Sequence, residues 1–217
     1  MRILNLESGL GGNINLIDDN EHEIVNVELD PRISEVLAFR KPNQKHIVGD
    51  SSEYLLKHYK EFDFTWSSPP CQTHSKMNKA TRHNTIRFVD PMLNQRIIFL
   101  KHWYKGKYVV ENVIPYYEPY PGYHKLGRHL FWTNFEIKPF ELPEQPKGFI
   151  NMATVEAKKT MMDWLGIHYE KNIYYGKNHC PVQILRNCVH PLIGKNIFDQ
   201  AYNYDKMGKD ENLLFPF

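Results

Sequence analysis

The chain has 217 residues, 41% of them hydrophobic and 13% aromatic, which excludes a disordered or fibrous protein and fits one main domain with at most a small appendage. Its formal charge of +2 neither demands nor excludes a nucleic-acid partner. No run approaches the roughly 18–20 apolar residues of a membrane span. The opening MRILNLESGLGGN also lacks the apolar core of a signal peptide, so no membrane and a cytoplasmic location are expected.

Five short apolar or β-branched runs read as buried strands: 2–7 (RILNLE), 23–29 (EIVNVEL), 46–50 (HIVGD), 62–68 (FDFTWSS) and 107–113 (KYVVENV). Between them, 32–39 and 90–104 have helical spacing, with Ile33, Val36 and Leu37 in the first and Leu93, Ile97, Leu100 and Tyr104 in the second. Strands alternating with helices predict an α/β protein with a mostly parallel sheet covered on both faces. Ligands then belong at the carboxyl ends of the strands. A sixth strand is expected over 129–137, an irregular connection with three prolines over 138–148, and helices over 153–165 and from Pro191 to about Tyr202. The tail LLFPF is expected to dock on the core.

The first strand runs into Glu7-Ser8-Gly9-Leu10-Gly11-Gly12-Asn13, whose glycines permit a tight turn and close approach of a ligand to the backbone. The second ends in Glu28-Leu29-Asp30-Pro31, placing a carboxylate where ribose hydroxyls could bind; the third ends in Gly49-Asp50, which could meet an adenine amino group or cap a helix. In this order the three describe an adenosine pocket. A phosphate-loop lysine and the GxGxxG spacing are missing, which favours a nucleoside without a polyphosphate.

The fourth strand ends in Ser67-Ser68-Pro69-Pro70-Cys71-Gln72. The prolines fix the backbone just before the cysteine and hold it extended at the strand's mouth, the setting of a reactive thiol more than of an inert core residue. The fifth ends in Glu111-Asn112-Val113, and a carboxyl group directly after Tyr108-Val109-Val110 is costly to bury unless it is partnered or functional. The three cysteines, Cys71, Cys180 and Cys188, have neither a disulfide framework's number nor zinc-site spacing, and no metal is expected. Lys76, Lys79, Arg82 and Arg87 follow Cys71 as a basic stretch that could touch phosphates or be a solvated loop.

Taken in order, the 9–12 glycine turn, Glu28, Gly49-Asp50, Pro70-Cys71-Gln72, Glu111-Asn112-Val113 and Asn187-Cys188-Val189-His190-Pro191 resemble the DNA (cytosine-5) methyltransferases over nearly the whole length. The Pro-Cys-Gln and Glu-Asn-Val pair, about 40 residues apart, is the specific part. The resemblance implies a doubly wound, Rossmann-like methyltransferase fold with S-adenosylmethionine as cofactor, S-adenosylhomocysteine as product, and DNA containing a target cytosine as partner. It implies Cys71 as the nucleophile at carbon 6 of a flipped cytosine, Glu111 at ring N3, and Arg128 at a base oxygen. Cofactor contacts fall to Glu7, Gly9, Gly11, Gly12, Glu28, Leu29, Asp50, Pro70, Asn187 and Val189. Nucleic-acid contacts fall to Gln72, Ser75, Lys76, Lys79 and Arg82.

The implied organisation is a catalytic and cofactor-binding part over 1–137, a reduced target-recognition region over 138–180, and a segment over 181–217 that returns to the catalytic part. So small a recognition region implies a short or degenerate target, or a protein partner that supplies recognition. Restriction protection, phage defence and regulation stay open as its setting. The chain departs from the family at Glu7, where a phenylalanine is usual, and at Asn5, where an aspartate is common. The family's Gln-x-Arg-x-Arg segment appears only as Leu126-Gly127-Arg128-His129-Leu130, and 154–157 matches the ninth motif faintly. Transfer of cytosine-5 methyl groups to tRNA is the alternative within enzymes. A catalytically idle methylase-like subunit that binds DNA is the reading from another class.

Overall fold

A computed structural model describes residues 1–76, 88–149, 153–174 and 180–211, with side chains as far as Tyr202. Seven strands form one sheet in the order β3-β2-β1-β4-β5-β7-β6. Strands β1 (Arg2–Leu6), β2 (Glu23–Glu28), β3 (Lys45–Val48), β4 (Phe64–Ser67) and β5 (Lys107–Val113) pair in parallel. The chain therefore reverses its direction of travel across the sheet between β1 and β4, and a crevice opens there at the strands' carboxyl ends.

Alternation along each strand explains why both faces are covered. Ile3, Ile24, Phe64, Trp66 and Val109 pack on one face against Ile197, Phe198 and Ala201 of the C-terminal helix. Leu4, Leu6, Val25, Val27 and Val110 pack on the other, against Leu55 of α2 (Ser51–His58) and Leu93, Ile97 and Leu100 of α3 (Met92–Trp103). Helix α1 (Pro31–Arg40) starts on an Asp30 side chain that accepts a hydrogen bond from the Arg32 N–H, with proline at its first position.

Several elements differ from the sequence expectations, the short helix over Gln183–Arg186 among them. Helix α2 is an addition, and its signal was the capping pattern of Asp50, whose carboxylate accepts from the N–H groups of Ser52 and Glu53. The sixth strand ends at Thr133 and is the second arm of an antiparallel hairpin, β6 (Tyr123–Leu126) with β7 (His129–Thr133), β7 pairing with β5. The two arms are joined through Gly127, at φ 57°, and Arg128; glycine accepts this left-handed turn without a Cβ penalty. The C-terminal helix, α6 (Pro191–Glu211), extends past the expected end near Tyr202, and the LLFPF tail lies outside the described residues.

Helix α4 (Val155–Leu165) and the short α5 (Gln183–Arg186) have no core apart from the rest. Met161, Leu165, Ile173, Val182, Ile184 and Leu185 share one cluster with Leu10, Ile33 and Val36 of the glycine turn and α1. Most of 138–148 is irregular, as expected.

Candidate active site

A cleft of about 1590 Å³ runs along the carboxyl ends of the strands, from the glycine turn and the ends of β2 and β3 to the ends of β4 and β5. It gathers most of the residues singled out from sequence. Glu7, Gly9, Gly12, Glu28, Leu29 and Asp50 line one end. Pro70, Cys71, Gln72, Glu111 and Arg128 line the other, with Ser75 and Lys76 at the edge and Asn187 and Val189 opposite the glycine turn. Gly11 supports the turn from behind, at φ 71°, its Cα facing the side chains of Leu37 and Ile14. Lys79, Arg82 and Arg87 lie outside the described residues, as do 150–152 and 175–179 of the expected recognition region.

Packing fixes the glycine turn from below. A Cβ on Gly12 would sit 2.3 Å from the Val189 carbonyl oxygen, so the turn and the 187–190 segment approach at a distance only glycine permits. A chain of buried amides ties the same turn to the sheet: Asn13 donates to Asn5 (2.7 Å), Asn5 to Asn26 (2.9 Å), and Asn26 to Gln44 (2.7 Å). The asparagine at position 5 thus belongs to a satisfied polar network, which low local polarity makes costly to interrupt.

Glu28 accepts hydrogen bonds from the N–H groups of Gly9 (2.8 Å) and Asp30 (3.0 Å), one on each carboxylate oxygen. Each oxygen has a second acceptor position. Burial, the largest effect, pushes the Glu28 carboxyl up, with the negative charge of Glu7 adding to it and the backbone donors of Asp30, Gly9 and Leu29 opposing. Leu29 beside it is 71% exposed and offers an apolar surface to a flat ring. Asp50 uses Oδ1 for both of its capping bonds, which leaves Oδ2.

Glu7 has φ 50°, rare for a residue with a side chain and costing on the order of 1–3 kcal/mol, a strain that tends to persist at ligand sites. Its carboxylate accepts from the Ser51 hydroxyl, the Ser67 hydroxyl (2.7 Å) and Arg96 Nη2 (3.0 Å). Arg96, on α3, is 3% exposed and also donates to the hydroxyls of Ser51 (3.2 Å) and Ser52 (3.0 Å). Nothing in the sequence marked Arg96, Ser51 or Ser67, because their partner is brought to them by the sheet.

Three carboxylates face the nucleoside end, which repels a polyphosphate and suits ribose hydroxyls, an amino group and a sulfonium cation. The glycine cradle and Leu29 fit the remainder, so the residues present fit S-adenosylmethionine.

At the other end, Asn112 does what its neighbours' chemistry requires. Its buried Nδ2 donates to the Pro69 carbonyl (2.9 Å) and its Oδ1 accepts from the Val113 N–H (2.9 Å), lashing the Pro-Pro-Cys segment to β5. That bond brings Cys71 to Glu111. The half-buried Cys71 thiol is pushed up to about 11, by burial first and then by the negative charge of Glu111. Burial pushes the Glu111 carboxyl up to about 7, against a hydrogen bond from Ser68 and the positive charge of Arg128. His129 Nε2 stands 3.7 Å from Glu111 Oε1, and burial, helped by Arg128, lowers the imidazole to about 3, so it is neutral at physiological pH.

Arg128 donates from Nη2 to the Arg186 carbonyl (2.5 Å) and lies over the Phe149 ring at 4.4 Å. Beyond Cys71, His74 is 1% exposed, its Nδ1 2.5 Å from the Tyr117 hydroxyl, and Ser75 bridges to Pro115. The loops after β4 and β5 are thereby joined on both sides of the thiol.

A crevice fitted to a sulfonium nucleoside, with a thiol and a buried carboxyl beside it, defines the class of S-adenosylmethionine-dependent methyltransferases. The family model of C-5 cytosine-specific DNA methylases matches residues 1–113, and the chain belongs to that family. No curated protein matches the chain. Among solved structures, a hypothetical protein from Thermus thermophilus is 16% identical, with 61% of this chain and 73% of that one covered at a TM-score of 0.43. A putative DNA modification methyltransferase of an Escherichia coli prophage is 19% identical, with 54% and 33% covered at 0.38. A DNMT2 mutant from Spodoptera frugiperda is 22% identical, with 52% and 35% covered at 0.36. The chain thus spans about a third of the length of these last two proteins.

Proposed function

We propose that the chain is a DNA (cytosine-5) methyltransferase that acts on a cytosine turned out of its duplex, through a covalent bond from Cys71. The meeting of Cys71 and Glu111 on one wall of a cleft whose other end suits a nucleoside carries this reading. S-adenosylmethionine, when bound, supplies an electrophilic methyl group.

The remaining chemistry falls to side chains. Carbon 5 of cytosine is a weak nucleophile, and bonding of Cys71 Sγ to carbon 6 turns it into an enamine-like centre. Glu111, near 7, carries a proton in about half of the molecules at neutral pH and donates it toward ring N3, offsetting the charge that addition creates. Cys71 rests as a thiol near 11, so as the sulfur–carbon bond forms its proton passes to solvent water in the open cleft. Protonation of Glu111 removes the negative charge that opposes the thiolate. Removal of the carbon 5 proton by a base and elimination of Cys71 close the cycle. The base must leave the stack, where carbon 6 is covered on both faces.

We assign ribose recognition to Glu28, the adenine amino group to Asp50 Oδ2, and a base oxygen to the Arg128 N–H groups not given to Arg186. Gln72, Ser75 and Lys76, at the cleft's edge, face the nucleic acid, and Lys79 and Arg82 follow them in the chain. The experiment is transfer of tritiated methyl groups to duplex DNA and, in parallel, to tRNA. Label in DNA supports the proposal. Label in tRNA alone makes RNA the substrate, and no label in either, with S-adenosylhomocysteine still bound, favours an idle binding subunit.

A further inference from the structure

Four elements converge on Glu7. It stands at the end of β1, Ser67 at the end of β4, Ser51 at the start of α2, and Arg96 reaches in from α3. A carboxylate has four acceptor positions. Oε1 fills both of its own, with the Ser51 hydroxyl and Arg96 Nη2, while Oε2 accepts only from Ser67 among the described residues. One acceptor position on Oε2 therefore remains, and Glu7 keeps 14% of its side-chain surface open while lining the cleft.

A buried charge held this way has a direction. Arg96 pairs with Glu7 from behind, and the hydroxyls of Ser51 and Ser67 hold the carboxylate in one orientation. Its open oxygen faces a ligand with a fixed, charged acceptor beside Glu28 and Asp50. Such an acceptor recognises N–H and rejects a carbonyl or a C–H in the same place, because the buried group would then be left unpaired. The ribose hydroxyls already have Glu28 and one N–H of the exocyclic purine amino group has Asp50, so the N–H groups left for Glu7 are the second one on that amino group and those of the α-ammonium group at the amino-acid end.

We infer that Glu7 is a specificity-determining cofactor residue that accepts one N–H hydrogen bond through Oε2, and that Arg96, Ser51 and Ser67 are the positioning residues that hold it. The inference rests on the cofactor reading above. In a Glu7→Gln variant the amide oxygen can keep the Arg96 contact, and an NH2 group then faces the cleft, so an acceptor becomes a donor.

The test is calorimetric binding of S-adenosylhomocysteine and two analogues, one with hydrogen in place of the purine 6-amino group and one with hydrogen in place of the α-ammonium group. The parent is expected to bind one analogue roughly tenfold more weakly than S-adenosylhomocysteine. Glu7→Gln is expected to bind S-adenosylhomocysteine roughly tenfold more weakly than the parent, and to bind that same analogue within about threefold of it. The analogue that loses its penalty identifies the N–H. A Glu7→Phe/Arg96→Met variant removes both buried charges together and should show the same loss of discrimination, which keeps the test open should Glu7→Gln fail to fold. Unchanged discrimination in the variants, with S-adenosylhomocysteine still bound, overturns the assignment of Glu7. A parent that binds none of the three compounds overturns the cofactor reading itself.

Discussion

Replacing Glu111 with glutamine should make the protein more stable than its parent at pH 8 and nearly indifferent at pH 4, by an amount the burial of this carboxyl sets. The side chain is 7% exposed, faced by Ser68, Arg128, His129 and Cys71, and its carboxyl moves from 4.5 to about 7. A group raised in the folded state favours folding fully below its unfolded value and loses that contribution as pH rises through the folded one. The window is therefore 4.5 to about 7, and the displacement corresponds to roughly 3 kcal/mol, fully lost by pH 8. Cys71, raised to about 11, stays neutral across it; His129, held neutral at about 3 in the fold, takes up a proton on unfolding as pH falls through its ordinary value, but parent and variant share that contribution and it cancels in their difference. Glutamine has no ionisation to lose. Denaturant unfolding of parent and variant at pH 4, 6 and 8 gives the difference directly, provided both fit a two-state transition with the same slope. A difference that does not change with pH would refute the burial argument and with it the protonated role of Glu111.

Three further outcomes follow from single contacts. Asn112→Ala leaves the buried Pro69 carbonyl without its donor, at about 1–3 kcal/mol, and should cost methyl transfer more than S-adenosylhomocysteine affinity; equal losses in kinetics and calorimetry would mean that Asn112 does not act through Cys71. Asp50→Ala removes a helix cap and should cost about 0.5–2 kcal/mol of stability even without cofactor, whereas Asp50→Asn keeps the cap and should lose cofactor affinity alone, as thermal unfolding and calorimetry on both would show. Bisulfite sequencing of a plasmid modified by the purified chain should return a target of about two to four bases, since loops over 138–180 can make few base-edge contacts; a strict target of six or more would refute this.

The meeting of Cys71 and Glu111 at the cleft was legible because its signals are local. Pro-Pro-Cys at one strand end and Glu-Asn-Val at the next need only the parallel sheet to meet, and hydrophobic runs of the right length specify that sheet. Glu28 and the glycine turn were legible for the same reason. Asp50 was ambiguous in sequence, and in the fold it caps α2 with one oxygen while it lines the cleft. What stayed hidden depends on residues far apart in the chain. Arg96 sits on a helical face among Leu93, Ile97 and Leu100, where its pattern reads as core, and only the approach of β1 gives it Glu7. The β6–β7 hairpin was missed because 129–137 reads as one apolar run, although Gly127 marks the turn. Arg128 was singled out as a base contact, and its bond to the Arg186 carbonyl and its place over Phe149 could not be read from a motif.

The covalent role of Cys71 is tested most directly by mixing the protein, S-adenosylmethionine and duplex DNA containing 5-fluorocytosine, and running the mixture on a denaturing gel. Fluorine at carbon 5 cannot leave as a proton does, so the sulfur–carbon bond should persist, giving a band at the summed mass of chain and oligonucleotide. Cys71→Ala should bind S-adenosylhomocysteine as the parent does and give no such band. A parent that binds both cofactor and DNA yet forms no adduct, or an adduct that survives in Cys71→Ala, would contradict the assignment of Cys71 as the nucleophile.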